Sequence, residues 1–145
     1  VIIVTGASSG FGKMTAERLS SHGHIVYGIC RREMQHQQIK YIQADVRDRN
    51  AIELIFKEIY DKEGHIDVLI NNAGMGIGGS LEMASEEEIE TQMNINFMGC
   101  VNMCQKVLPY MRKQRHGKII NLSSIGKTIF IIIEWFYSIK ISSTE

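Results

Sequence analysis

The stretch VIIVTGASSGFG, residues 1–12, decides the fold of this chain. Its first five residues form a continuous apolar, β-branched run, which is typical of a strand buried on both faces of a sheet. Three glycines, Gly6, Gly10 and Gly12, follow this run, and residues 13–21 then have the pattern of a helix. Three glycines can also mark a tight structural turn. With a strand before them and a helix after them, they are typical of a turn that holds a phosphate through backbone N–H groups and the helix dipole.

The rest of the chain continues the alternation of strands and helices. Apolar runs predict four further strands, at residues 24–30, 39–44, 66–71 and 118–123. Amphipathic patterns predict three further helices, at residues 50–64, 85–94 and 98–115. Apolar strands separated by helices predict an α/β fold, with a Rossmann-like, doubly wound parallel sheet that carries helices on both faces.

The composition predicts a single domain and argues against several classes of function. The 145 residues, 44% of them hydrophobic, can bury one sizeable core. Basic and acidic residues both number 16, so no net charge favours nucleic acid or an anionic membrane as a partner. The spacing of Cys30, Cys100 and Cys104 matches neither a disulfide scaffold nor a zinc site, so we expect buried thiols and no metal. No signal peptide opens the sequence and the run IFIII is too short to span a bilayer, so we expect a cytoplasmic protein.

Four motifs in a definite order connect this sequence with a known family. They are TGASSGFG at residues 5–12, NNAG at 71–74, Asn-x2-Gly at Asn96–Gly99 and GKIINLSS at 117–124. In their order and separations these motifs resemble those of the short-chain dehydrogenase/reductase family. Residues 71–124 resemble the branch that acts on hydroxysteroids, retinoids and related ketones and alcohols. The resemblance implies a dinucleotide-binding Rossmann domain at residues 1–126, followed by a divergent tail of the same domain at 127–145.

The resemblance implies a nicotinamide dinucleotide as cofactor. The glycines of the first turn would hold its adenosine end, with Ser8 and Ser9 as donors to ribose or phosphate, although a plain solvent-exposed turn is the alternative. Asp45 matches the acid that the family places at the adenine amino group, although it could instead cap the following helix. Asn71 and Asn72 resemble asparagines that tie strands together and line the cofactor, although asparagines also simply form turns. The full implied cofactor-binding set is Gly6, Ser8, Ser9, Gly10, Phe11, Gly12, Arg31, Arg32, Asp45, Val46, Asn72, Ala73 and Gly74.

The residues after the second predicted strand distinguish between the two nicotinamide cofactors. A carboxylate there would accept hydrogen bonds from both ribose hydroxyls and repel a 2′-phosphate, whereas an arginine would attract one. Cys30 occupies the position where the acid would be needed, and Arg31 and Arg32 follow it. We therefore predict that NADP(H) is favoured over NAD(H). A solvated basic turn is the alternative, and Glu33 places a carboxylate nearby.

The resemblance also implies a catalytic tetrad, whose members here would be Asn96, Ser124, Tyr137 and Lys140. The family uses the asparagine to hold a water in a proton relay and the serine to fix the substrate oxygen. The tyrosine exchanges a proton with the substrate, and the lysine ammonium lowers the pKa of its hydroxyl. The family pattern is Tyr-x3-Lys. Ile141 occupies that lysine position in this chain, and Lys140 would lie roughly 100° away around a helix.

The tail departs from the family in a second way. Residues 127–136, KTIFIIIEWF, are typical of a strand or an aggregation-prone segment, where the family has small residues. We therefore expect an altered or truncated C-terminus and a sheet that stops after its fifth strand. Either residues 128–133 fold back as a substitute strand beside the fifth, or the open edge pairs with another chain, and we predict that the chain self-associates. Three hypotheses follow. They are an active NADP(H)-dependent oxidoreductase for a ketone or secondary alcohol, a truncated fragment that binds the cofactor without turnover, and a non-enzymatic interaction protein on the same fold.

Overall fold

The computed structural model describes residues 1–78 and 81–123, which form a five-stranded sheet flanked by helices. The strands are β1 (Ile2–Thr5), β2 (Val26–Cys30), β3 (Ile39–Gln43), β4 (Val68–Asn71) and β5 (Lys118–Asn121). The helices are α1 (Gly10–Ser21), α2 (Arg49–Glu63), α3 (Glu86–Met93) and α4 (Gly99–Gln114). A 3₁₀ turn lies at Leu81–Met83, and a π-helical turn at Asn94–Met98 joins α3 to α4.

The sheet is parallel, and its order confirms the predicted Rossmann-like α/β fold. The strands lie in the order β3-β2-β1-β4-β5, and every pair is parallel. The chain moves outward from β1 to β2 and β3, then crosses back to the other side of β1 for β4 and β5. In open sheets of this kind, ligands bind outside the carboxyl ends of the strands, at the point where the order reverses. That point lies between β1 and β4.

Alternate residues of the central strand enter two separate core layers. Ile3 packs against Phe56 of α2 and Met103 of α4 on one face of the sheet. Val4 packs with Ala16 of α1 on the other face. Successive side chains of a strand point to opposite faces, so a strand that is apolar throughout must be covered on both sides. Helices therefore cover both faces, as predicted.

The helices begin and end at residues that satisfy their terminal backbone groups. The Asp48 side chain caps α2 by accepting hydrogen bonds from the N–H groups of Asn50 at 3.1 Å and Ala51 at 3.0 Å. Gly64, with a φ of 79°, ends α2 in the left-handed conformation. Ser85 and Glu88 form a reciprocal capping box at the start of α3.

Two predicted boundaries differ from the structure, and one region cannot be compared. Helix α1 begins at Gly10 rather than residue 13, because the glycine turn itself winds into the helix. The helix predicted at 98–115 follows α3 directly through the π-helical turn. The expectations for Ser124, for the domain boundary at residue 126 and for the tail lie outside the described residues. Within residues 1–78 and 81–123, no helix combines the length and the apolar character that a membrane crossing requires.

Candidate functional site

The turn between β1 and α1 has a backbone that favours glycine. Gly6 has a φ of 66° and Gly10 a φ of 52°, both in the left-handed region. A methyl group added at Gly10 would meet no atom within 4 Å. Gly10 is also exposed, so its backbone is accessible to a bound molecule.

The first turn of α1 presents backbone donors that the helix does not use. The N–H groups of Gly10, Phe11 and Gly12 precede the first intrahelical bond, which Lys13 donates to the Ser9 carbonyl at 3.2 Å. Ser9 is the N-cap residue, yet within the described part of the chain its side chain makes no capping hydrogen bond. Donors of this kind, together with the helix dipole, bind anions such as a pyrophosphate.

Buried hydrogen bonds hold the ends of β1 and β4 together beside this turn. The Thr5 hydroxyl accepts the N–H groups of Asn72 at 3.0 Å and Ala73 at 2.9 Å. The Asn72 amide nitrogen donates to the Thr5 carbonyl at 3.0 Å. Gly12 packs onto this junction, and a methyl group there would overlap both the Asn72 side chain and the Gly6 carbonyl. The sequence analysis missed Thr5, although a hydroxyl at the end of an otherwise apolar strand was a signal.

A cleft of about 250 Å³ opens at the carboxyl ends of β1, β2 and β4. The predicted cofactor-binding residues line it, with the exception of Gly10, Phe11 and Gly12. Ile29, Cys30, Ala44, Met75 and Ile95 also line this cleft and were not in the predicted set. These residues belong to no short sequence motif. They line the cleft because of where the strands and the following loops lie in the folded chain.

The basic edge of the cleft follows β2. Arg31 and Arg32 are exposed and line the cleft, and no carboxylate occupies the position of Cys30, which is buried. The Arg31 carbonyl accepts a hydrogen bond from the Gln43 amide at 3.0 Å, and the Arg32 carbonyl accepts one from the Cys30 thiol at 3.2 Å. Burial raises the pKa of the Cys30 thiol, which keeps it protonated and uncharged. The two guanidinium groups therefore stand on a turn with a fixed backbone.

Asp45 lies in the cleft as predicted, but its carboxylate already has a partner. Arg47 donates to it from the backbone N–H at 2.9 Å, from Nε at 3.0 Å and from one terminal nitrogen at 2.7 Å. These hydrogen bonds hold the pKa of the Asp45 carboxyl below its usual range. The helix-cap alternative for Asp45 is excluded, because Asp48 caps α2. A carboxylate has about four acceptor sites, so Asp45 keeps capacity for a further donor.

Asn96 lies in the π-helical turn, and its side chain fastens the loop after β4. Its Oδ1 accepts the Met75 N–H at 2.9 Å, and its Nδ2 donates to the Met75 carbonyl at 2.8 Å. A side-chain amide has few groups left once both ends are engaged in this way. Asn96 therefore shapes the wall of the cleft through Met75. The role in holding a water stays a prediction.

A smaller cavity of about 30 Å³ lies behind the cleft, between α4 and the ends of β4 and β5. Asn71, Asn96, Cys100 and Asn121 line it, and Asn71 donates from Nδ2 to Asn121 Oδ1 at 2.9 Å. The expectation of buried thiols is correct for Cys30 but wrong for Cys100 and Cys104, which are half-buried. Both of these belong to α4, whose flank beside β5 is not fully covered by the described residues.

The remaining predicted catalytic residues cannot be placed. Ser124, Tyr137 and Lys140 lie outside the described residues, so the structure neither assembles nor separates them with Asn96. The described residues contain no group of three or more His, Cys, Asp or Glu side chains positioned to share a metal ion.

Comparison with known proteins agrees with this geometry. The sequence pattern of the short chain dehydrogenase family matches residues 1–138. A protein of Bacteroides thetaiotaomicron named 3-ketodihydrosphingosine reductase is 54% identical over 139 residues, which are 95% of this chain and 52% of that protein. An NADP-dependent 3-hydroxy acid dehydrogenase of Escherichia coli K12 is 39% identical over 133 residues, covering 86% of this chain and 54% of the relative.

A solved structure with a bound cofactor is also similar. The closed form of a serine dehydrogenase complexed with NADP⁺ superposes with a TM-score of 0.79 at 36% identity, over 85% of this chain and 53% of that one. The chain thus spans about half the length of the relatives that it matches. The match of the family pattern to nearly the whole sequence, on a parallel sheet with a glycine turn at its switch point, shows that the chain belongs to the short-chain dehydrogenase family.

Proposed function

We propose that this chain binds NADP(H) in the cleft and is the cofactor-binding part of an oxidoreductase that acts on a ketone or secondary alcohol. The observation that carries the proposal is the pairing of two features across one cleft. The glycine turn lines the cleft with Gly6, Ser8 and Ser9, directly before the N-terminus of α1 and its backbone donors, and Arg31 and Arg32 line the same cleft from the end of β2. One end suits a pyrophosphate and the other a 2′-phosphate.

The residues present fit such a cofactor. The N–H groups at the start of α1 would hold the pyrophosphate. Gly10 has no side chain and no other atom fills the space beside it, so the pyrophosphate could approach the backbone there. Arg31 and Arg32 would bind the 2′-phosphate, for which guanidinium geometry is well suited. Asp45 would accept a hydrogen bond from the adenine amino group, held in position by Arg47.

The chemistry divides between the cofactor and the chain. The bound nicotinamide would supply or accept the hydride. Asn96 would keep the wall of the cleft in place through its two hydrogen bonds to Met75. By the family resemblance, Ser124 would hold the substrate oxygen, and the hydroxyl oxygen of Tyr137 would give or take the proton. Lys140, three positions after Tyr137 in the sequence, would lower the pKa of that hydroxyl.

The relatives suggest the class of substrate. The relative named for 3-ketodihydrosphingosine is 54% identical to this chain, and the one named for 3-hydroxy acids is 39% identical. We therefore propose a ketone on a long-chain amino alcohol as the substrate and keep a 3-hydroxy acid as the second candidate. Oxidation of NADPH with the ketone and reduction of NADP⁺ with the 3-hydroxy acid, each followed by the absorbance of NADPH, distinguish them. Turnover with the 3-hydroxy acid alone would overturn this choice, and cofactor binding without turnover would favour the hypothesis of a non-catalytic fragment.

Removing Arg31 tests the cofactor assignment. We expect Arg31→Ala to weaken NADPH binding by about tenfold or more, because a charge-assisted hydrogen bond to phosphate is worth about 1.5–3 kcal/mol. NADH binding should stay nearly unchanged, because NADH has no 2′-phosphate. The measurement is calorimetric titration of each cofactor.

A matched variant separates a local contact from a general change of charge. Arg112→Ala removes one exposed positive charge from the last turn of α4, away from the cleft, and should leave both affinities unchanged. Equal affinities of the unmodified chain for NADPH and NADH would refute the cofactor preference.

A further inference from the structure

Two cysteines lie one turn apart at the start of α4. Cys100 and Cys104 are half-buried and belong to the first turns of the helix, directly after the π-helical turn. Cys100 and Cys104 occupy positions i and i+4 of this helix, and side chains at such positions are neighbours, with Cβ atoms about 5–6 Å apart. Both side chains therefore lie as neighbours on a part of α4 that is not fully buried.

Two asparagine side chains surround these sulfurs. Asn71 donates from Nδ2 to the Cys104 sulfur at 3.4 Å, and the Cys100 thiol lies 3.3 Å from Asn121 Oδ1. Asn71 is only 6% exposed, and its Oδ1 has no hydrogen-bond partner among the described residues. An unpartnered buried oxygen beside the cavity indicates a place where a polar molecule can be accommodated.

The two thiols are not equivalent. The neighbouring Cys100 side chain, and then the hydrogen bond from Asn71, lowers the pKa of the Cys104 thiol despite burial. The same contact with Cys104, together with burial, raises the pKa of the Cys100 thiol. Cys104 is therefore the more acidic of the two thiols and the one that more readily becomes a thiolate. A thiolate next to a protonated thiol is the arrangement that a two-step oxidation needs.

We propose that Cys100 and Cys104 form a site of reversible oxidation by peroxides, at which the two thiols join as a disulfide behind the cofactor cleft. The site is independent of the family chemistry, because neither cysteine lines the cleft and neither belongs to the implied tetrad. Its effect on the cleft, considered below, rests on the proposed NADP(H) binding.

The oxidation proceeds in two balanced steps. The Cys104 thiolate attacks one peroxide oxygen, the O–O bond breaks, and the departing oxygen takes a proton to leave as water or an alcohol. Cys104 is then a sulfenic acid. The Cys100 sulfur attacks the Cys104 sulfur, the S–O bond breaks, and the hydroxide leaves as water with the proton of Cys100. The two sulfurs lose two electrons together, and the peroxide gains them.

Closing the disulfide strains the start of α4. Cβ atoms one helical turn apart lie about 5–6 Å from each other, whereas a disulfide requires about 3.5–4.5 Å. The first turn of α4 must therefore tighten, and a strained disulfide of this kind is readily reduced again. Tightening withdraws the Cys104 sulfur from Asn71, whose neighbour Asn72 ties β4 to the glycine turn. We expect oxidation to weaken NADPH binding by about fivefold or more, in the range typical of coupling between two sites.

The experiment uses a property of the sequence. Cleavage after Lys62 and Lys106 releases residues 63–106 as one tryptic peptide, which contains Cys100 and Cys104 but not Cys30. The reduced whole chain is treated with dilute hydrogen peroxide, alkylated with N-ethylmaleimide, digested and weighed by mass spectrometry. We expect two alkyl groups on this peptide before oxidation, none after it, and two again when dithiothreitol precedes alkylation. A peptide that stays alkylated, or a loss that dithiothreitol does not reverse, would refute the proposal.

Variants assign the roles of the two sulfurs. In Cys100→Ser, the sulfenic acid on Cys104 has no partner and should react with dimedone, whereas Cys104→Ser should give no dimedone product. The reverse pattern would overturn the assignment of Cys104 as the attacking sulfur. A disulfide that joins two chains or includes Cys30 would overturn the pairing. NADPH titration of the reduced chain tests the cofactor site separately. If that titration fails, the proposed function fails and the oxidation result stands.

Discussion

At the scale of single residues, the three glycines of the first turn meet three different physical requirements. Gly6 needs a left-handed backbone and approaches the Ala73 Cα, which an added methyl would meet at 2.8 Å. Gly12 needs close packing against Asn72 and the Gly6 carbonyl. Gly10 needs a left-handed backbone too, but it faces open space. Gly12 therefore serves the fold, whereas the open space beside Gly10 leaves its backbone accessible to a ligand.

Substituting Gly12 and Gly10 separately distinguishes these requirements. We expect Gly12→Ala to lower the free energy of unfolding by about 1–3 kcal/mol, because its methyl group overlaps backbone that cannot yield cheaply. Gly10→Ala should cost about 1–2 kcal/mol for its left-handed backbone, and it should also weaken NADPH binding more than Gly12→Ala does. Urea unfolding and cofactor titration of the two variants measure the contrast. If Gly10→Ala bound NADPH as tightly as the unmodified chain, the pyrophosphate would not approach this residue.

The sequence predicted part of the site, and the missing part has a common physical character. The glycine turn, the arginine pair and Asn72 could all be predicted, because each follows a predicted strand and has a residue type that suits a cofactor. The ion pair between Asp45 and Arg47 was not predicted, because it depends on the backbone turn that directs both side chains toward each other. Thr5 was missed for a related reason. Its importance comes from two N–H groups that the chain supplies from β4, far away in sequence.

At the scale of elements, a polar cluster ties β2, β3 and α2 together away from the cofactor cleft. The Tyr27 hydroxyl donates to a Glu63 carboxylate oxygen at 2.6 Å, and Lys40 donates to the same oxygen at 2.6 Å. The bond from Lys40, and then the one from Tyr27, lowers the pKa of Glu63. Burial, and then the bond to Glu63, raises the pKa of the Tyr27 hydroxyl, which therefore stays protonated as the donor.

Removing the Tyr27 hydroxyl should make stability depend on pH in a definite direction. A carboxyl whose pKa is lowered by folding stabilises the fold above its unfolded pKa, and this stability is lost as the pH falls through the folded pKa. We expect Tyr27→Phe to cost about 1–2 kcal/mol at neutral pH and progressively less as the pH falls below the unfolded pKa of a glutamate, about 4.3, and through the lower folded pKa of Glu63. Urea unfolding at several pH values measures this trend.

Tyr41→Phe is the matched control for that trend. The Tyr41 hydroxyl donates to the Ala7 carbonyl at 3.2 Å, and a carbonyl does not titrate. Its loss should therefore cost much the same free energy of unfolding across the acidic range. A cost for Tyr27→Phe that is equally flat would show that the hydroxyl does not act through Glu63.

Most elements were predictable from the sequence, and the exceptions are at their junctions. Hydrophobic periodicity was sufficient to predict all five strands and the helices between them, because each must cover one face of the sheet. The π-helical turn at Asn94–Met98 was not predicted. Its residues fit an ordinary helix, and no local sequence signal marks the extra residue per turn. The side chain of Asn96 reaches Met75 from this turn.

At the scale of the whole molecule, one edge of the described sheet, strand β5, exposes apolar side chains. Within residues 1–78 and 81–123, β3 and β5 each have one neighbouring strand. On β5, Ile119 is buried in the core with α4, whereas Ile120 on the opposite face is 46% exposed and Leu122 just beyond it is 47% exposed. An apolar edge strand of this kind offers both unpaired backbone groups and a hydrophobic surface to a second chain.

Self-association through this edge is therefore expected, and charge placed on its exposed face should relieve it. We expect the chain to sediment as a mixture of species whose average mass rises with concentration. Ile120→Lys combined with Leu122→Lys should shift it toward the monomer, because two ammonium groups resist burial against a partner strand. Leu54→Lys is the control. Leu54 is 67% exposed but lies on the outer face of α2, so this variant adds the same kind of charge to an equally apolar site away from β5. If Leu54→Lys reduced association as much as the paired lysines, general charge repulsion would be the cause. If the unmodified chain were monomeric at every concentration, the edge of β5 would have to be covered by the chain itself.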